Sequence, residues 1–223
     1  MSNVESNLMV HAVVSRPFSE NTYLAYLSGR SECVVIDPGF EPQLILDEIA
    51  NRRLIPQAIL CTHGHLDHIA GNEALKRCWP NIPLVIGKGD AYKLTDANAN
   101  LSLPYGFEVL SPPADVELSE GATFRAAGCS FEVLETPGHS AGHVIFVWKG
   151  NARTIIFGGD VLFAGGVGRW DTPDGCWEDL ERSIHEKFFT LPDEATIYPG
   201  HGESTTVGEE RRFNPYVGRN ASR

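Results

Sequence analysis

Between Thr62 and Gly71 the chain reads Thr-His-Gly-His-Leu-Asp-His-Ile-Ala-Gly, which places His63, His65, Asp67 and His68 within six positions. Imidazole nitrogens interleaved with a carboxylate suit zinc or another first-row divalent ion. A catalytic ion with an open coordination position needs only three protein ligands, so four donors on one short loop point to two ions. Three further polar residues each follow a glycine at the end of a strand-like run. They are His139 in Thr-Pro-Gly-His-Ser, Asp160 in Phe-Gly-Gly-Asp and His201 in Tyr-Pro-Gly-His-Gly. A glycine there permits a tight turn and removes a side chain that would crowd an ion. Together the loop and the three strand ends supply seven donors.

The elements that must position them alternate short strands with helices. Residues Leu8 to Val14, Thr22 to Leu27 and Cys33 to Ile36 have strand character and end in the turn Asp37-Pro38-Gly39. Leu44, Ile45, Ile49 and Leu54 recur at helical spacing over Pro42 to Arg53, and Ala58 to Cys61 is a short buried strand that leads into the histidine loop. A helix over Ile69 to Cys78, closed by Trp79-Pro80, precedes a strand at Pro83 to Ile86. Residues Asp90 to Pro113 lack periodicity and read as an irregular insertion near the site. Strands follow at Ala122 to Arg125, Cys129 to Leu134, Val144 to Trp148 and Thr154 to Phe157, then a helix at Trp177 to Phe188 and a strand at Thr196 to Tyr198. This order suits an α/β (α+β) architecture of two mixed sheets with helices on their outer faces better than a single parallel sheet.

The 223 residues, 42% of them hydrophobic, are read as one domain, residues 1–223. A formal net charge of −11 argues against nucleic acid or an anionic membrane as partner. No segment reaches the roughly 20 apolar residues of a membrane span, and the N-terminus lacks a secretory signal. Cys33, Cys61, Cys78, Cys129 and Cys176 form no Cys-x-x-Cys pair and read as reduced core residues of a cytoplasmic protein.

The set His-x-His-x-Asp-His, Pro-Gly-His, Gly-Asp and Pro-Gly-His resembles the metallo-β-lactamase fold, a four-layer αββα sandwich with a dinuclear metal site between its sheets. The resemblance is closest over residues 136–217. There Thr-Pro-Gly-His-Ser-Ala-Gly-His, Gly-Gly-Asp-Val-Leu-Phe, Gly-Val-Gly-Arg-Trp-Asp, Pro-Gly-His-Gly-Glu-Ser-Thr-Thr and Glu-Arg-Arg-Phe-Asn-Pro-Tyr are similar to short glyoxalase II-like hydrolases, which act as hydroxyacylglutathione hydrolases. The resemblance implies that His63, His65 and His139 hold one ion, that Asp67, His68 and His201 hold the other, and that Asp160 bridges them. The implied ions are two divalent metals, Zn2+ first, with Fe or Mn also compatible. The implied chemistry is attack of a metal-bridging hydroxide on a small-molecule thioester, S-D-lactoylglutathione or another hydroxyacylglutathione, with Asp67 orienting the hydroxide proton.

Arg169 matches a basic residue that contacts glutathione in the larger glyoxalase II enzymes, and Arg169 and Trp170 are the candidate substrate-binding residues. Those enzymes carry Tyr where this chain has Asp171, and the 22 residues after His201 are too few for their C-terminal helical substrate domain. His143 starts an apolar strand and is expected to support the ligands rather than to join them. Asp37 is either a support for the histidine loop or a turn residue, and His11 and His185 are read as packing or surface residues. A mononuclear-iron persulfide dioxygenase of the same fold shares the Gly-Arg-x-Asp and Glu-Arg-x-x-Asn-Pro motifs and is the alternative. A β-lactamase departs through Asp160, where lactamases have Cys or Ser, and a flavin-linked diiron reductase through His65, where Glu is usual. From a different class, the same ligands could serve a non-catalytic metal-binding module.

Overall fold

The structure is a computed structural model and describes residues 7–151, 153–219 and 221. Its first half is a six-stranded mixed sheet. β1 (Leu8–Ser15), β2 (Glu20–Leu27) and β3 (Glu32–Ile36) pair antiparallel, and β4 (Ile55–Cys61), β5 (Leu84–Gly87) and β6 (Val116–Leu118) continue from β3 in parallel. The parallel steps need crossovers. These are α1 (Pro42–Asn51), then α2 (Leu66–Ile69) with α3 (Asn72–Cys78), then a 3-10 helix at Lys88–Thr95 with the irregular segment after it. The second sheet contains β7 (Thr123–Ala126), β8 (Cys129–Glu135), β9 (Val144–Lys149), β10 (Thr154–Gly159), β13 (Thr196–Pro199) and β14 (Thr205–Thr206) in the order β14-β13-β10-β9-β8-β7. A small hairpin of β11 (Leu162–Phe163) and β12 (Gly166–Val167) leaves β10. α4 (Trp177–Ser183), which runs into a π turn at Ile184–Phe188, and α5 (Val207–Phe213) complete the chain.

Four layers follow from how strand side chains alternate. Val34 and Ile36 of β3 face the core between the sheets, whereas Cys33 and Val35 face the outer core shared with Ile45 and Ile49 of α1 and Leu75 of α3. In β9, Val144, Phe146 and Trp148 face the inter-sheet core, and Ile145 and Val147 pack with Leu180, Ile184, Phe188 and Val207. Strands buried on both faces carry nearly unbroken apolar runs, so β4 and β9 could be recognised but not oriented from sequence. The architecture is the αββα sandwich that the resemblance implies.

Some elements differ from expectation. The helix expected at Ile69 to Cys78 is two, because the Gly71 amide donates to Pro38 O (2.7 Å) and the chain turns there. α2 therefore begins inside the histidine loop and carries Asp67 and His68. The helix from Trp177 changes to a π turn at Ile184. β6, β11, β12 and β14, each of two or three residues, are too short to show periodicity. α5 did carry a signal, Thr206-Val-Gly-Glu209, and Thr206 Oγ1 caps the Glu209 amide (3.2 Å). All five cysteines are free, but Cys78 is exposed and Cys176 half-buried, so only Cys33, Cys61 and Cys129 are core residues. His11 pairs with Glu48 at the surface, and His185 packs edge-on against Phe189.

Behind the site, Glu20 at the start of β2 is fully buried and accepts a hydrogen bond from Ser15 Oγ (2.9 Å), while its Oε1 has no protein partner. Burial pushes the Glu20 carboxyl well above the usual carboxylate range. A raised folded-state pKa contributes stability below the unfolded value of 4.5 that is lost as pH rises toward the folded value. Glu20→Gln removes that loss. In thermal melts of chelated protein, the variant should gain stability over the parent progressively from pH 5 to pH 8 and converge with it near pH 4. A difference that does not depend on pH would contradict this reading.

Candidate metal centre

The seven expected donors leave the fold at neighbouring strand ends. β4 delivers His63 and His65 into the turn before α2, which supplies Asp67 and His68, and β8 leads to His139. β10 and β13 run parallel and adjacent, so Asp160 and His201 emerge from the same edge of the second sheet. The structure brings all seven together. His63, His65 and His139 form one group whose ligand atoms lie within 4.8 Å of one another, and Asp67, His68 and His201 form another. Asp160 joins His63 and His68 in a third such group between them, with Oδ1 3.4 Å from His68 Nε2 and Oδ2 3.4 Å from His201 Nε2. Asp67 Oδ2 stands 3.3 Å from His201 Nε2, and His65 Nδ1 stands 2.8 Å from His139 Nε2.

The hydrogen-bond network leaves lone pairs facing this cluster. The His68 Nδ1–H donates to Asp37 Oδ2 (3.1 Å), which frees Nε2. Thr62 Oγ1 donates to the same oxygen (2.7 Å) and so accepts from His63 Nδ1 (3.1 Å), freeing His63 Nε2. The Nδ1–H of His139 donates to Arg169 O (2.8 Å). Asp37 also takes the Thr62 amide (2.6 Å), so it braces the histidine loop rather than merely shaping a turn. His143 donates from Nδ1 to Thr136 Oγ1 (2.9 Å) and accepts the Asp160 amide at Nε2 (3.1 Å), which spends both ring nitrogens on support.

His63 Nε2, His65 Nε2, His68 Nε2 and Asp160 Oδ1 are buried without a hydrogen-bond partner. Each such atom costs about 1–3 kcal/mol, so four converging on one spot mark a place built for cations. The electrostatics divide the cluster in two. Burial and the neighbouring imidazoles hold His63 and His65 well below the usual histidine range, as neutral donors. Burial opposes charging of His68 and His201 as well, but Asp160 and Asp67 raise His68 well above that range and push His201 up to about 10. Burial likewise opposes ionisation of Asp160, yet His68 and His201 hold it well below the usual carboxylate range. Gly200 permits this crowding, since a Cβ there would fall 2.1 Å from Asp160 Oδ1 and 2.6 Å from His68 Cε1.

A cavity of about 280 Å3 opens over the cluster, at the small end of ligand sites. Its walls include Phe18, Leu101, Tyr105, Phe163 and Arg169. Arg169 is bound to Asp171 through Nε (2.9 Å) and donates from Nη1 to the Tyr105 hydroxyl (2.8 Å). Trp170 does not line the cavity; it stacks edge-on against Trp177 and is 39% exposed. Phe18, Leu101 and Tyr105 had no sequence signal, because they reach the cavity from two loops distant in sequence. Phe163 is set by the C-terminal motif. Glu210 accepts the Gly165 amide (3.0 Å) and Asn214 donates to Gly166 O (3.0 Å), so α5 and the residue after it hold the β11–β12 hairpin in place.

The sequence profile of the Metallo-beta-lactamase superfamily matches residues 15–201. The chain belongs to this superfamily. It is 34% identical over 203 residues to the hydroxyacylglutathione hydrolase GloC of Haemophilus influenzae, covering 90% of this chain and 93% of that one. The crystal structure of BLEG-1 B3 metallo-beta-lactamase superposes with a TM-score of 0.88 at 32% identity, over 94% of this chain and 99% of that one. TTHA1623 in a di-iron-bound form superposes with a TM-score of 0.79 at 37% identity, over 93% and 100%. The superfamily's His/Asp metal-binding groups are present here, at the cluster just described. Among the described residues, no helix is long and apolar enough to cross a membrane.

The raised pKa of His201 has a measurable consequence. At pH 7 a ring that titrates near 10 carries a proton without an ion, and it must lose that proton to become a ligand. Zinc binding to the metal-free protein should therefore release protons at pH 7, and affinity should fall as the pH is lowered. Calorimetry in buffers of different ionisation enthalpy measures the release, and a buffer-independent enthalpy would contradict it.

Proposed function

We propose that this protein is a metal-dependent thioester hydrolase acting on S-D-lactoylglutathione or another hydroxyacylglutathione. One observation carries the reading: two donor triads with a shared carboxylate, Asp160, at the floor of a cavity that has the Arg169 guanidinium in its wall. The donor set and the likeness to GloC support hydrolysis, and the di-iron form of TTHA1623 supports a two-ion centre. His63, His65 and His139 would hold one divalent ion, and Asp67, His68 and His201 the other, with Asp160 between them. When bound, such ions supply a water of lowered pKa as nucleophile and an electrophile for the carbonyl oxygen. Neutral imidazole and carboxylate donors accept Zn, Fe or Mn, with Zn2+ the first expectation.

The chain's own residues do the rest. Asp67 lies beside His201 at the cavity floor, where its carboxylate can hold the proton of an attacking water. Phe18, Leu101, Tyr105 and Phe163 keep bulk water from the acyl carbon, and Arg169 offers a charge to a substrate carboxylate. A thiolate leaves without a strong general acid, because thiols have a pKa near 8.5. Asp171 and Tyr105 hold the Arg169 side chain in one orientation toward the cavity mouth.

The test is turnover of a thioester panel by purified protein of known metal content, with and without chelation. Chelation should abolish activity, and re-addition of zinc, iron or manganese should restore it. Two metals per chain with no thioester turnover would end the proposal. Oxygen uptake with glutathione persulfide on a single iron would replace it with a persulfide dioxygenase, and nitrocefin turnover alone would replace it with a lactamase.

Two variants separate the roles within this site. Asp160→Ala should lower both metal stoichiometry and kcat, because it removes the shared ligand. Arg169→Ala should leave metal content unchanged and mainly raise KM, since uniform binding changes KM without kcat. Near-normal kinetics in both variants would contradict the assignment.

A further inference from the structure

Asp90 lies outside the donor set, yet it is fully buried directly behind it. Each carboxylate oxygen has two donors. Oδ2 accepts the Gly64 amide (2.9 Å) and Ser140 Oγ (2.7 Å), and Oδ1 accepts the Gly142 amide (2.8 Å) and faces Lys93 Nζ (3.2 Å). Gly64 sits between His63 and His65, while Ser140 and Gly142 follow His139. One carboxylate thus ties the two loops that carry the first triad. Lys93, three residues on in the same 3-10 helix, is only 1% exposed, and its ammonium also donates to Asp174 Oδ2 (2.6 Å). Asp174 accepts the Ala141 amide (3.1 Å), a second tie to the His139 loop. The parts approach so closely that a Cβ at Gly142 would fall 2.1 Å from the Asp90 backbone nitrogen.

We propose that Asp90, Lys93 and Asp174 form a clamp that sets the spacing of His63 and His65 against His139, and thereby the affinity of the first ion site. Within the triad His65 Nδ1–H donates to His139 Nε2 (2.8 Å), whereas His63 Nε2 has no hydrogen-bond partner, so the gap between the two loops has little else to hold it from the front. The buried ion pairs fix the backbone on both sides of that gap. Three small backbone and hydroxyl donors on one charged acceptor give charge-assisted hydrogen bonds, stronger than neutral ones and directional. The clamp residues are positioning residues; none reaches the cavity.

The inference rests on the two-ion reading above, and its test separates the two. Zinc affinity of the first triad is measured by chelator competition in a His201→Ala background, which disables the second triad, and the second triad is measured in a His139→Ala background. Asp90→Asn keeps the volume but presents an amide where two donors point. It should weaken the first triad about 10–100-fold, the usual effect of removing a partner that orients ligands, and change the second less than about twofold. Asp174→Asn, at a half-buried position that tolerates the change more easily, should weaken the first triad about tenfold and serves in place of Asp90→Asn if that variant does not fold. Circular dichroism and cooperative melting confirm folding. Unchanged first-triad affinity in a folded variant, or equal weakening of both triads, overturns the clamp alone. A His201→Ala parent that takes up no zinc overturns the two-ion reading and the clamp with it.

Discussion

The structure depends on a buried, mutually unsatisfied set of polar atoms at the seam between two sheets. Asp160 brings a carboxylate into a place where four histidine rings already crowd, and it stays ionised because His68 and His201 lie beside it. Burying a charge without a partner costs several kcal/mol, and the lone pairs of His63 and His65 have no hydrogen to accept. Such a cluster persists only if the surrounding fold holds it by force. The three apolar cores provide that force: β4 and β10 are buried on both faces as they approach the site, and β8 and β13 pack alternate residues into the same cores.

Around the donors a ring of groups spends its hydrogen bonds on orientation. Asp37 fixes Thr62 and His68, His143 fixes the Asp160 backbone, Arg169 O fixes His139, and Asp90 joins the loops from behind. The division also explains why the histidines differ in character: those beside carboxylates favour a positive charge, while those beside other imidazoles stay neutral. The two-ion centre proposed above would satisfy both halves, with cations in place of protons in one and neutral imidazole donors in the other.

The cavity is assembled from parts that meet only in three dimensions. Tyr105 and Leu101 come from the irregular segment, Phe18 from the β1–β2 turn and Phe163 from a hairpin pinned by Glu210 and Asn214. Phe18, Phe40, Tyr105 and Phe107 pack as an aromatic group at the cavity mouth, with Phe18 5.6 Å from Phe40 and 5.7 Å from Tyr105. Arg169 is the one wall residue that was legible beforehand, through the Gly-Arg-x-Asp motif. Trp170, its neighbour, packs edge-on against Trp177 instead.

The seven donors could be read from the sequence, because they cluster on one loop and at glycine-marked strand ends, where local chain geometry and side-chain chemistry coincide; their division into triads came from the resemblance to the metallo-β-lactamase fold. The long buried strands were equally plain, since burial on both faces leaves unbroken apolar runs. Strands of two or three residues and the break at Gly71 were not, because they arise from hydrogen bonds to distant segments and leave no period, and the π turn at Ile184 is a one-turn change of helix type too short to alter the apolar spacing. Asp90 and Lys93 looked like ordinary charges in an aperiodic stretch. Only the tertiary structure made them a buried pair, by bringing Gly64, Ser140, Gly142 and Asp174 to one point. The sequence by itself determined which atoms could hold metal. The packing of the two sheets decided what orients those atoms and what walls the cavity, because contacts between residues far apart in the chain depend on the path between them and leave no mark in local composition.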